Sequence, residues 1–135
     1  MKMTNEHPGI EEYAALRLAA GARPIREEAI ATGLGHSIYM LTVRDERDAL
    51  IGMGRIIGDG GCYFQIVDLA VHPAHQGEEI GKAILSRLLE YIDANAPKEA
   101  NVMVISDLAG IKLYQSFGFK LVYPDYYGMV RQVSE

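Results

Sequence analysis

Between residues 63 and 93 the spacing of apolar side chains changes from two to about 3.6 across one short loop. Tyr63 to Val71 reads as a strand, apolar enough to be buried on both faces. Ile80, Ile84, Leu88 and Tyr91 or Ile92 line one stripe of a helix over 78–93. Pro73, Gly77 and Gly81 lie at the junction. A strand that runs through such a loop into an amphipathic helix belongs to a layered α/β architecture.

The flanking sequence agrees. Ile10, Tyr13, Ala14, Leu16 and Ala20 fall near one face of a helix over 10–21, which Gly21 stops. Pro24 suits the first position of a second helix that ends by Gly33 or Gly35. Residues 37–43 and 49–57 read as strands by their β-branched and aromatic content. With 63–71 they predict an antiparallel meander, turned at 44–48 and at Gly58–Gly61. Gly52 and Gly54 mark a bend or a close backbone approach. Beyond the long helix, 102–105 reads as a short buried strand and 108–117 as a helix capped by Asp107 and ended by Gly118. Two closing strands are expected at 119–123 and 127–132. The prediction is one α/β domain over 1–135, a mixed and mostly antiparallel sheet flanked by about four helices.

Composition narrows the function classes. Apolar residues make up 49% of the 135, enough for a core without disulfides or a structural metal. The basic residues are scattered and the formal charge is −5, so the basic stripe of a nucleic-acid binder is missing. An acidic balance weakly favours a cationic substrate such as an amine. No run approaches the roughly 18 apolar residues of a membrane span. Cys62 is the lone cysteine and Met1 to Pro8 is polar, which predicts a cytoplasmic protein with no membrane partner.

The stretch Asp68-Leu-Ala-Val-His-Pro-Ala-His-Gln-Gly-Glu-Glu-Ile-Gly-Lys-Ala83 carries the chemistry. A strand, a loop with two glycines and a helix start present unpaired N–H groups and the positive end of a helix dipole. Such a site favours an anion, phosphate above all. The alternative is a tight strand-to-helix turn with no ligand. A P-loop is excluded, because no Gly-Lys-Ser/Thr ending is present, and the glycines do not make G-x-G-x-x-G.

This stretch resembles the acetyl-CoA signature of the GNAT N-acetyltransferase superfamily, Gln/Arg-x-x-Gly-x-Gly/Ala after a strand of the form D-L-A-V-x-P. Gln76 matches the first position and Gly81 the last. Leu113-Tyr-Gln-Ser-Phe-Gly-Phe119 is similar to the family's later L-Y-x-x-x-G-F, in the same order and at the usual separation. The signature's middle glycine is Glu79 here, beside Glu78. At ~6 Å in water-like dielectric each carboxylate costs a bound phosphate about 0.7 kcal/mol. A charge-assisted backbone hydrogen bond returns roughly 1.5–3 kcal/mol, so the amides outweigh carboxylates that point to solvent.

The resemblance implies transfer of an acetyl group from acetyl-CoA to a primary amine, of a small molecule before a peptide or protein, by direct attack. A non-catalytic coenzyme A-binding module is the alternative. It implies a V-shaped slot beside the strand, with Leu69, Ala70 and Val71 facing the cofactor and an amide near Leu69 polarising the thioester. Gln76, Gly77, Glu78, Glu79, Gly81 and Lys82 would surround the pyrophosphate, and Asp107 and Tyr114 would also lie at the cofactor. Tyr114 takes the position of a general acid toward the leaving thiolate, whereas periodicity alone places it on the apolar stripe of Leu108, Ile111 and Phe117. Asp68 is the candidate base, with a buried structural role toward Arg55 as the alternative. Tyr39, Arg55 and Asp59 are candidates for the acceptor pocket or simple strand partners. His72 and His75 form H-x-x-H on a loop with no evident third ligand, so no metal is expected. Dimers are frequent in the family, which implies a homodimer as partner.

Overall fold

The computed structural model describes residues 1–133. Its internal contacts group into two compact units, Met1–Ile105 and Ser106–Glu135.

In the first unit five strands lie in the order β1-β2-β3-β4-β5. They are β1 (Lys2–Thr4), β2 (Tyr39–Arg44), β3 (Leu50–Gly58), β4 (Tyr63–Val71) and β5 (Asn101–Val104). The first four pair antiparallel and β4 pairs β5 parallel, so the sheet is mixed as expected. Strand alternation then assigns two faces. On one side α1 (Ile10–Ala19) and α2 (Glu27–Gly35) bury Tyr13, Leu16, Ile30 and Leu34 against Met40 and Met53. On the other lies α3 (Ile80–Asn95), whose Ile84 and Leu88 stand directly over Gly54. A Cβ at Gly54 would sit 2.9 Å from Ile84 Cγ2 and 3.1 Å from Leu88 Cδ1. The glycines of β3 therefore serve a close helix approach.

The start of α1 is pinned to β2. Glu12 accepts from the Gly9 N–H at 2.7 Å and from both terminal nitrogens of Arg44, at 2.9 and 2.6 Å. The Arg44 hydrogen bond holds the Glu12 carboxyl below its ordinary range, although burial opposes this. Gly21, at φ 93°, ends the helical run as predicted.

Several expectations need correction. α2 starts at Glu27, capped by Arg26, so Pro24 lies in the preceding connection. Strand β1 occupies a segment that composition marks only as polar. Strand β4 is not buried on both faces: Tyr63 is exposed, Phe64 and Ile66 are buried, and residues 67–71 are half-buried.

The second unit, by itself, begins with a 3-10 turn at Leu108–Gly110 in which Asp107 Oδ1 accepts from the Gly110 N–H at 2.9 Å. It continues as α4 (Ile111–Ser116), and Gly118 at φ 93° closes the helix while the Phe119 N–H donates to the Tyr114 carbonyl at 3.2 Å. The two closing strands do not form among the described residues. Residues 119–133 pair with nothing in a ladder, and Leu121, Val122, Tyr123, Tyr126, Tyr127, Met129 and Val130 are exposed. Strand propensity supplies a preference but not a neighbour, and a lone ribbon is marginal in water.

Candidate functional site

The site begins where β4 loses a neighbour. Pairing with β5 runs from Tyr63↔Asn101 to Ile66↔Val104 and then stops. From Val67 to Val71, β4 is paired with β3 alone among the described residues. Its free edge therefore offers backbone donors and acceptors to an extended ligand.

The same stretch carries a bulge. Between Met53↔Ala70 and Arg55↔Val67, β3 advances two residues and β4 three, and Asp68 adopts φ 56°. A left-handed non-glycine residue costs roughly 1–2 kcal/mol, and the Asp68 carboxylate makes contacts that offset it. Arg17 Nη1 donates to Oδ1 at 2.5 Å, Arg55 Nε donates to Oδ2 at 3.0 Å, and the Tyr13 hydroxyl also donates to Oδ2. The bulge is thus held by α1 and β3 together. Burial pushes the Asp68 carboxyl up to about 6. The two guanidiniums favour its charged form, so at neutral pH it is a carboxylate. Both oxygens accept from donors, Oδ1 from Arg17 and Oδ2 from Tyr13 and Arg55.

Beyond Val71 the loop turns through a 3-10 segment, Pro73–His75, into α3. Gly77 takes φ 90° and Glu79 takes φ 63°, ψ 18°, so two left-handed residues flank Glu78. The Glu78 carboxylate meets His75 Nδ1 at 3.0 Å, and Gln76 Nε2 donates to the Val71 carbonyl at 3.4 Å. Glu79 is the N-cap of α3 but makes no side-chain capping bond. The N–H groups of Ile80, Gly81 and Lys82 in the first turn have no helical acceptor. Gly81 is required neither by φ nor by packing, since a Cβ there would meet only Val71 Cγ2 at an ordinary 3.7 Å. A glycine in a helix costs roughly 0.5–1 kcal/mol against alanine. An unforced glycine beside free amides fits close approach of a phosphate.

On the α1 and α2 side of the sheet, a cavity of about 240 Å³ is lined by Tyr13, Arg17, Ile30, Arg55, Val67 and Asp68, among others. Arg55 also donates through Nη1 to the Gly33 carbonyl and to Ser37 Oγ, both at 3.1 Å. Burial lowers the pKa of Arg55; burial and the charges of Arg55 and Arg23 lower that of Arg17. Of the three acceptor-pocket candidates, Arg55 lines this cavity. Tyr39 instead stacks on Tyr91 of α3, centroids 4.2 Å apart, on the opposite face. Asp59 Oδ1 closes the β3–β4 turn by accepting from the N–H groups of Gly61, Cys62 and Tyr63, which lowers its pKa. Tyr13 and Arg17 went unpredicted as site residues. Their spacing of four on α1 carries the signal, because it puts Arg17 on the same inward face as Tyr13.

In the second unit Tyr114 packs edge-on against Phe119, centroids 5.8 Å apart. Burial, and then the nearby Asp107 carboxylate, raise its phenol above the ordinary value of 10.0. His72 Nδ1 accepts from the Ala74 N–H, and no cluster of three metal-ligating side chains occurs among the described residues.

A mixed sheet with a splayed strand, an anion-ready loop and a helix laid over it defines an α/β domain that can hold an extended, phosphate-bearing ligand. The model of the acetyltransferase (GNAT) domain matches residues 13–128, and the chain belongs to that family. It is similar to a probable acetyltransferase of unknown function from meticillin-resistant Staphylococcus aureus, with 42% identity and a TM-score of 0.93 over 98% of both chains. A GNAT-family acetyltransferase from Streptococcus pneumoniae shares 27% identity, with a TM-score of 0.77 over 99% of this chain and 97% of that one. An uncharacterized N-acetyltransferase (ycf52-like) of Prochlorococcus marinus is 35% identical over 102 residues, 73% of this chain and 54% of its own. The chain thus spans about half the length of the curated relatives it matches. No helix among the described residues is long and apolar enough to cross a membrane.

Proposed function

We propose that the protein transfers an acetyl group from acetyl-CoA to the primary amine of a small molecule by direct attack. The observation that carries this is the run of β4 from Val67 to Val71 beyond its pairing with β5, leading through Gly77 and Glu79 into the free amides of α3. Backbone groups of Leu69, Ala70 and Val71 hold the pantetheine arm as a further strand would be held. The amides from Gly77 to Lys82 take the pyrophosphate, and the N–H near Leu69 polarises the thioester carbonyl. The neutral amine nitrogen bonds to the carbonyl carbon and the carbon–sulfur bond breaks; the nitrogen gives its surplus proton to solvent water, while Tyr114 protonates the departing sulfur and is reprotonated from solvent. Asp68 serves this reaction as a positioning residue, holding the bulge and orienting Arg17 and Arg55. The cytoplasm, where acetyl-CoA is at hand and Cys62 stays reduced, is the compartment that suits this chemistry.

Calorimetric titration with acetyl-CoA, with dephospho-coenzyme A for comparison, is the test, followed by a thiol-release assay over small amines. Micromolar binding with amine-dependent thiol release is expected. Binding without release for any amine would favour the non-catalytic coenzyme A-binding module. No binding up to millimolar concentration would remove both.

A further inference from the structure

The cavity of Met1–Ile105 has a charge that its own residues do not balance. Arg17 and Arg55 bring two positive charges and Asp68 brings one negative charge, with side chains 14%, 15% and 9% exposed. The guanidiniums keep spare donors. Arg17 spends Nη1 on Asp68 and Nη2 on the Arg23 carbonyl at 3.1 Å, and its Nε donates to no acceptor among the described residues. Arg55 spends Nε and Nη1, and its Nη2 likewise donates to none. No fully occluded side-chain nitrogen or oxygen among the described residues lacks a partner, so these spare donors face accessible space. The depressed pKa values of the two arginines agree with an excess of positive charge held out of water.

The remaining walls are apolar: Ile25, Ala29, Ile30, Ile57 and Val67. The volume, about 240 Å³, is below the range of drug-sized pockets, roughly 300–1,000 Å³. Val67 and Asp68 also begin the run of β4 that lies beyond its pairing with β5, so the cavity lies beside the stretch assigned to the thioester.

From this we infer that the acceptor is a small amine that also carries a carboxylate, bound by Arg17 and Arg55 with a short apolar body against the isoleucines. One carboxylate neutralises the single excess charge, whereas a phosphate dianion would overshoot it. A guanidinium edge also matches a carboxylate in two parallel hydrogen bonds. The inference deepens the acetyl-transfer reading and rests on it. It also reverses the weak pull toward purely cationic amines that the overall acidic charge suggests.

Two measurements separate the claims. Thiol-release kinetics should compare short amino acids with their own carboxamides, which keep size and amine but lose the charge. The free acids are expected to have kcat/KM at least tenfold higher. That preference should vanish in Arg17→Gln and survive in part in Arg17→Lys. Independently, the arginine Nε–H NMR signals of the unmodified protein should shift saturably with the amino acid and not with its carboxamide at equal concentration. A shift without any turnover would keep the carboxylate site and overturn acetyl transfer. Turnover with equal or greater preference for carboxamides would overturn the carboxylate site alone. Neither shift nor turnover would overturn both.

Discussion

Gly81 and Glu79 show opposite choices at neighbouring residues. Gly81 occupies a position where alanine would fit, with its Cβ at an ordinary distance from Val71, so its presence weakens α3 for no structural return. Gly81→Ala should therefore stabilise the fold by about 0.5–1 kcal/mol in denaturant melts, while weakening acetyl-CoA binding about tenfold by calorimetry, some 1.4 kcal/mol. A variant both more stable and equally tight would show that no ligand approaches this turn. Glu79 is the reverse, a side chain in a left-handed conformation that suits glycine. Glu79→Gly removes that strain and one like charge, and calorimetry should show modestly tighter coenzyme binding; unchanged or weaker affinity would absolve the carboxylate. Tyr114 is the proton donor of the proposed reaction. Since burial and Asp107 raise its phenol above 10, the acid form persists through neutral and mildly alkaline pH and is lost only as pH rises past that point. Tyr114→Phe should lower kcat at least tenfold with little change in acetyl-CoA affinity, and the wild-type rate should show no loss attributable to this group below pH 9. Equal losses in both parameters would mark a packing residue.

Elements were legible wherever their own residues state the period. Strand β4 and the stripe of α3 follow from alternation and from Ile80, Ile84 and Leu88, each near its predicted place. The loop between them was legible because glycines and free helix amides are local features. Three things were not. Strand β1 has three residues and exists through its pairing with β2, which no local pattern announces. The closing strands at 119–123 and 127–132 have the propensity but no ladder partner among the described residues. The cluster of Tyr13, Arg17 and Asp68 joins residues 55 and 51 positions apart, so its existence depends on the sheet bringing α1 over the β4 bulge. The glycines of β3 permit the close approach of α3 on the other face. Gly54→Ala should lower stability by roughly 1–3 kcal/mol, because its Cβ would meet Ile84 Cγ2 at 2.9 Å and that branch cannot swing away freely. A neutral denaturation midpoint would mean that α3 can lift off the sheet at little cost.

At the scale of the whole molecule, the second unit leaves a run of large apolar side chains exposed. Ser106–Glu135 is shorter than the roughly 40 residues below which a chain usually needs outside help to stay folded. Tyr123, Tyr126 and Tyr127 are 63%, 71% and 66% exposed, and Met129 is 92% exposed. A buried aromatic covers about 150–250 Å². Three tyrosines with Leu121, Val122, Met129 and Val130 therefore offer on the order of the 800 Å² per partner of a standard interface. We propose that a second copy of the chain covers this surface. The two copies would each carry a formal charge of −5, so their approach is opposed by repulsion that salt screens, while the apolar contact itself is not weakened by salt. Sedimentation equilibrium should show a dimer at micromolar concentration that tightens as sodium chloride rises from about 0.05 to 0.5 M, a range over which the screening length shortens about threefold. The double substitution Met129→Glu with Val130→Glu should return the protein to a monomer without unfolding Met1–Ile105. A wild-type protein that stays monomeric at every salt concentration would overturn the dimer, and one whose dimer dissociates as salt rises would replace the apolar contact with an ionic one.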